Sequence, residues 1–319
     1  MNSNAPIKTR FLILSDTHNI NLPSDSTTNH RADVAIHCGD LTQTSMLDEM
    51  QASIALLQQI DAPLKLVIAG NHDFTLDTPF FRDLLEKDYA RLDPTAIAKF
   101  YGEYGEARQL FAAPDAQASG IRLLDEGTHQ FTLQNGAVLT VYASPYTPAR
   151  GKMGFQYERS EGHAFDIPPG VDVAMTHGPP AGVLDYTAHG QRAGCPDLLA
   201  AAARARPPMH CFGHIHEGWG ARLVTWREKV GEDPSHSVLI DDDRSVLIED
   251  LSTLNQGAEE KGKMGEQSGG LSRTSHCADN EHPLKPGLQT LFVNAAIEGL
   301  GEIRVQPPWL VDLELLRVA

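Results

Sequence analysis

A chain of 319 residues, 41% of them hydrophobic, can bury one large soluble core or two modest ones. Its net charge of −16 and pI near 5.2 repel a polyanion, which excludes a nucleic-acid polymer as the expected partner. No apolar run approaches a membrane span and residues 1–6 carry no apolar signal core, so a cytoplasmic protein with no membrane partner is expected.

Residues 11–14 are a short apolar run of strand length, followed directly by Ser15-Asp16-Thr17-His18. Residues 19–31 read as a loop, and residues 33–38 as a second strand that stops at Gly39-Asp40. Ser45 is placed as the N-cap of a helix over residues 45–60, with Leu47, Met50, Ile54 and Leu57 at helical spacing. A third strand over residues 64–69 ends in Gly70-Asn71-His72-Asp73. Strand, helix, strand in that order predicts a parallel pair with a right-handed crossover. Residues 79–92 and 95–111 read as helices separated by Pro94, and residues 121–124 as a strand.

Asn135-Gly136 between two alternating runs marks a hairpin, because both residues tolerate positive φ. Residues 171–175 form a strand that delivers Thr176-His177-Gly178-Pro179-Pro180. An Ala-rich helix over residues 196–206 is broken by Pro207-Pro208. The strand at residues 209–212 ends in Gly213-His214-Ile215-His216, and further strands are expected at 223–226, 288–294 and 309–316. Residues 227–287 are polar. They are expected to be a partly disordered insertion within a single domain spanning 1–319, with residues 255–286 mostly mobile. His163, His189, His236, His276 and His282 are placed on the surface or in loops.

None of the four cysteines forms a C-x-x-C pair, which argues against a zinc knuckle. Cys38 and Cys211, in apolar strands, are expected to be buried free thiols. His37 and His210 lie within strands and read as core or supporting imidazoles.

Asp40 anchors the functional reading. A carboxylate at the tip of a buried strand is costly unless positive charge meets it. Five strand ends together offer Asp16, His18, Asp40, Asn71, His177, His214 and His216. These are hard or borderline oxygen and nitrogen donors, suited to manganese first, and also to iron, zinc, nickel or magnesium. In D-x-H and G-H-x-H the paired donors sit on alternate residues, which point the same way in extended chain. The expectation is that Asp40 bridges two divalent or trivalent metal ions and that the other six complete the two shells. A hydroxide held between two such ions is a strong nucleophile for in-line attack on a small phosphate ester. One such pair alone is a weak signal. Its recurrence at five strand ends is what carries the reading.

Asp16-Thr17-His18, Gly39-Asp40, Gly70-Asn71-His72-Asp73, His177-Gly178-Pro179-Pro180 and Gly213-His214-Ile215-His216 resemble, in order, the motifs of the calcineurin-like metallophosphoesterase family. Ser144-Pro145-Tyr146-Thr147-Pro148, Gly194-Cys195-Pro196, Phe212 to Gly220 and Phe292-Val293-Asn294-Ala295 are similar to its metallophosphoesterase-domain-containing subgroup. That subgroup is itself similar to class III cyclic-nucleotide phosphodiesterases. The resemblance implies an α/β fold (α+β mixed): a four-layer α-β-β-α sandwich of two mixed sheets, with the active site at the C-terminal ends of strands. It also implies roles. Asp16, His18, Asp40 and His216 would take one metal, and Asp40, Asn71, His177 and His214 the other. His72 would stabilise the transition state or protonate the leaving oxygen, and Asp73 would orient it. The implied activity is hydrolysis of a small phosphodiester, such as a cyclic nucleotide, by a monomer or homodimer. The alternatives are a phosphomonoesterase, a protein phosphatase, or a metal-binding scaffold with a vestigial or repurposed site.

Overall fold

The computed structural model describes residues 5–20, 22, 30–149, 151–228, 235–254, 270–299 and 304–317. Its strands, in chain order, are β1 (Ile7–Leu14), β2 (Val34–His37), β3 (Leu64–Val67), β4 (Ile121–Leu123), β5 (Gly127–Thr132), β6 (Val138–Ser144), β7 (Thr147–Pro148) and β8 (Gln156–Tyr157). They continue with β9 (Val173–Thr176), β10 (Met209–Phe212), β11 (Gly220–Trp226), β12 (Ile240–Asp250), β13 (Ser272–Ser275), β14 (Gln289–Asn294) and β15 (Trp309–Leu315). The helices are α1 (Leu47–Gln59), α2 (Thr78–Lys87), α3 (Pro94–Tyr101), α4 (Glu106–Ala112), α5 (Pro114–Ala118), α6 (Pro196–Ala205) and α7 (His236–Leu239).

Two mixed sheets result. One runs β13-β15-β1-β2-β3-β4 and the other β12-β11-β14-β10-β9-β6-β5. Strands β1 to β4 are mutually parallel, as are β6, β9, β10 and β14. Parallel strands need cover on both faces, and the side-chain alternation supplies it. Phe11, Ile13, Val34, Ile36 and Leu66 face the other sheet and pack in one core with Val141, Val173, Cys211, Leu223 and Val293. Leu12, Leu14, Ala35 and Val67 face outward and are covered by Met50, Ile54 and Leu57 of α1 and Phe111 of α4. The outer face of the second sheet presents Phe212, Val224 and Phe292 to Leu199 and Ala202, and Tyr142 and Ala174 to Leu198 and Ala201, all from α6. The layering is therefore α-β-β-α, as the resemblance implies. Cys38 and Cys211 are fully buried free thiols.

Several elements differ from the sequence expectation, each for a local reason. The first helix begins at Leu47 because Ser45 is diverted, with φ of 62° and a hydroxyl that accepts from Thr75 N at 2.9 Å. The Glu49 carboxylate instead accepts from Met46 N at 3.0 Å and closes the helix start. The helix expected over 95–111 breaks between α3 and α4, where Gly102 and Gly105 take φ of 77° and 84°.

The polar stretch after Trp226 is partly sheet. Strand β12 pairs antiparallel with β11, and β13 pairs parallel with β15. Strand β12 is an edge strand, so its polar side chains keep one side in water. The expected mobility of residues 255–269 lies outside the described residues. His276, expected on the surface or in a loop, lies in the loop after β13 but is buried there: its Nδ1–H donates to His282 O at 2.7 Å, and Nε2 lies 2.9 Å from Thr274 Oγ1.

Candidate metal centre

The parallel strands of both sheets deliver their C-terminal ends to one edge of the sandwich. Asp16 and His18 follow β1, Asp40 follows β2, Asn71 and His72 follow β3, His177 follows β9, and His214 and His216 follow β10. Two groups of donors form there. Asp16, His18 and His216 place ligand atoms within 4.8 Å of one another, and so do Asp40, His177 and His214. Asn71 joins the second group, its Oδ1 lying 3.1 Å from His177 Nε2. Asp40 faces both groups, with Oδ2 3.3 Å from His177 Nε2 and 3.7 Å from His18 Nε2. All seven expected ligands are thus brought together.

The backbone is strained to do this. Asp16, His18, Asp40 and His214 all have left-handed φ, at 52°, 41°, 52° and 66°. For residues other than glycine that costs on the order of 1 kcal/mol or more each and collects at functional sites. The preceding glycines leave room for the ligands. A Cβ at Gly70 would collide with the Asp40 carboxylate, and one at Gly213 with that of Asp16.

Hydrogen bonds then aim the donor atoms. His18 Nδ1–H donates to Thr42 O at 2.9 Å and His177 Nδ1–H to Cys38 O at 2.9 Å, so each Nε2 points into the site. Asp40 Oδ1 accepts from His72 N at 2.8 Å, which reserves Oδ2. The Asp16 carboxylate accepts from His214 N, with Oδ2 at 2.9 Å.

These contacts suit shared cations better than hydrogen bonds. Two donors on one ion at about 2.1 Å each lie about 3.0–3.4 Å apart at octahedral to tetrahedral angles. Asp40 to His177 is 3.3 Å, His216 Nε2 to Asp16 Oδ1 is 3.4 Å and His18 to Asp40 is 3.7 Å. The donors also pair electrostatically with one another. Burial opposes the charge on Asp40, yet the facing His177 holds its carboxyl down at about 2. Burial likewise disfavours charge on His177, but Asp40 raises it to about 9. Asp16 is held well below the usual carboxylate range against its burial, chiefly by His216. Burial and the neighbouring His177 push His214 down to about 3, leaving it a neutral nitrogen donor.

His37 and His210 stand one step behind the ligands. His210 Nε2 lies 2.9 Å from Thr176 Oγ1, whose own proton goes to Gly178 O at 2.8 Å. His210 must therefore donate to Thr176, the residue before His177. His37 accepts from Gly39 N at Nδ1 and so donates through Nε2 to Thr17 Oγ1 at 3.0 Å, between Asp16 and His18. Burial pushes His210 down to about 3, and burial, ahead of all its charged neighbours, brings His37 to about 4. Both pKa values are lower folded than unfolded, so the unfolded chain binds more protons below pH ~6.5. Stability is therefore complete above that pH and is lost as pH falls toward 4, at about 1.4 kcal/mol per pH unit for each imidazole. His210→Gln is expected to flatten this acid limb in denaturant titrations between pH 7 and 4.5. An unchanged slope would remove His210 from the account.

His72 and Asp73 do not form the expected pair. The Asp73 carboxylate accepts from Leu41 N, Thr42 N, Thr42 Oγ1 and Gly70 N, and is fully buried. It ties the β2 loop to the β3 loop. Burial and the Asp40 charge raise it to about 6. The group that orients His72 is the Gln43 carbonyl, which accepts from Nδ1 at 2.7 Å and leaves Nε2 free. The His72 ring lies edge-on to His18, with centroids 4.8 Å apart.

A cleft of about 300 Å³ opens over the two groups. Its lining adds Gln43, Glu217 and Glu298 to the expected residues. None of these three is visible in the ligand motifs. Glu217 was adjacent to one, at His214-Ile215-His216, and that adjacency was the available signal.

Residues 9–218, more than half of the chain, match the calcineurin-like phosphoesterase family. Metallophosphoesterase domain-containing protein 1 of Homo sapiens is 34% identical over 224 residues, covering 67% of this chain and 63% of that protein. The probable rhamnogalacturonate lyase C of Emericella nidulans is 32% identical over 222 residues, 68% of this chain but 18% of that one. A UPF0046 protein of Caenorhabditis elegans is 31% identical over 228 residues, covering 69% and 55% respectively. The chain thus spans less than two thirds of the length of each of these relatives. The matched region holds the strand ends that supply all seven donors, and on both grounds the chain belongs to the calcineurin-like phosphoesterase family.

Proposed function

We propose that this chain hydrolyses a small phosphodiester with the aid of two metal ions that share Asp40. The observation that carries the reading is Asp40 Oδ2, which faces one histidine of each group beneath the cleft. Asp16, His18, Asp40 and His216 would hold the first ion, and Asp40, Asn71, His177 and His214 the second. Ions held there supply Lewis acidity and water acidified to a pKa of about 7. His72 is the acid. The Gln43 carbonyl takes its Nδ1–H and turns Nε2 toward the cleft, where a proton is passed to the leaving oxygen. The donor set of carboxylates, imidazoles and a carboxamide supports manganese as the resident metal. The buried free cysteines suit a reducing compartment such as the cytoplasm.

Charge supports a diester over a monoester. The cleft lining carries Glu217 and Glu298 and, among the described residues, no lysine or arginine. A diester brings one negative charge past those carboxylates, whereas a monoester brings up to two. With Mn²⁺ added, kcat/KM for bis(p-nitrophenyl) phosphate is expected to exceed that for p-nitrophenyl phosphate at least tenfold. A preference for the monoester would overturn the diester reading.

A further inference from the structure

Glu298 is absent from every ligand motif in the sequence, yet it projects into the first group of donors. We propose that Glu298 supplies a carboxylate oxygen to the ion held by Asp16, His18 and His216. The inference rests on the two-metal reading above and extends it.

Backbone pairing fixes the position. Beyond β14 the chain runs beside the Asp16 turn: Ile297 N donates to Ser15 O at 2.8 Å and Glu298 N to Asp16 O at 3.1 Å. The Glu298 side chain, 38% exposed, reaches over the group from there. Its Oε2 lies 3.5 Å from His18 Nε2, the nitrogen left free because Nδ1–H is used on Thr42 O. That 3.5 Å is close to the separation of two donors on one ion and longer than a good hydrogen bond. Glu298 Oε2 also lies 3.7 Å from His216 Nδ1, too far for a hydrogen bond, so a role limited to orienting His216 fits less well.

The two sites then differ in kind. The first gathers Asp16, Glu298 and the shared Asp40 around its ion, with His18 and His216. The second has the shared carboxylate, one carboxamide and two imidazoles. The first becomes the tighter site and favours a hard divalent cation such as Mn²⁺ over a nitrogen-preferring one such as Zn²⁺.

The test is titration of the metal-stripped protein with Mn²⁺ and, separately, Zn²⁺, for wild type, Glu298→Gln and Glu298→Ala. Calorimetry gives stoichiometry and affinity, and electron paramagnetic resonance reports bound Mn²⁺. Both variants are expected to lose at least tenfold in Mn²⁺ affinity at the tighter site, with a smaller loss for Zn²⁺ and no change at the other site. The stripped variants are expected to melt close to stripped wild type, because the Glu298 side chain is 38% exposed. Unchanged Mn²⁺ affinity, or equal losses for the two metals, overturns the ligand role of Glu298. Wild type that takes up neither ion overturns the two-metal reading itself.

Discussion

Asp40→Ala is expected to remove metal and turnover together. Its two oxygens have separate duties. Oδ1 accepts from His72 N and fixes the β3 loop, while Oδ2 stands between His18 and His177. The substitution deletes a donor from both shells and takes away the charge that sustains His177 against its burial. Loss of kcat of about a thousandfold or more follows, since one well-placed electrostatic group alone is worth 10²–10³. Asp40→Asn keeps the shape and an oxygen for His72 N but lacks the charge to join two cations. It should retain at most one ion after dialysis. Metal content by mass spectrometry and diester turnover on the same samples check both variants. Two ions and full turnover in Asp40→Ala would end the bridging account.

His72→Ala is expected to do the opposite: keep both ions and lose rate. The free Nε2 of His72 opens to the cleft, and its ring lies against His18 without entering either donor group. General acid catalysis is worth roughly 10²–10⁴. The loss should fall on kcat, with little change in KM. It should also depend on the leaving group. A p-nitrophenolate departs with little protonation, so its ester should lose less than an alkyl ester does. Equal losses for both esters would show that His72 acts by position or charge and not as an acid. Loss of metal would place it among the ligands.

The donors were legible because the chemistry follows the strands. Apolar runs of strand length end abruptly at Asp16, Asp40, Asn71, His177 and His214, and alternate residues of an extended chain share a side. What escaped the sequence depends on partners far away in the chain. Ser45 reads as an N-cap until its hydroxyl is seen engaged with Thr75. Strand β13 has no apolar pattern of its own and exists by pairing with β15. Asp73 follows His72 directly and so reads as its partner, but the left-handed turn at Asp40 brings Leu41 and Thr42 amides to that carboxylate first. Glu298 sits in an ordinary loop sequence. Backbone bonds from Ile297 N to the Ser15 carbonyl and from Glu298 N to the Asp16 carbonyl carry it to the site.

The central claim is that two ions share Asp40, and anomalous diffraction from crystals loaded with Mn²⁺ tests it most directly. Two peaks are expected, one among Asp16, His18 and His216 and one among Asn71, His177 and His214, both within coordination distance of the Asp40 carboxylate. A single peak, or two peaks of which one lies away from Asp40, would contradict it.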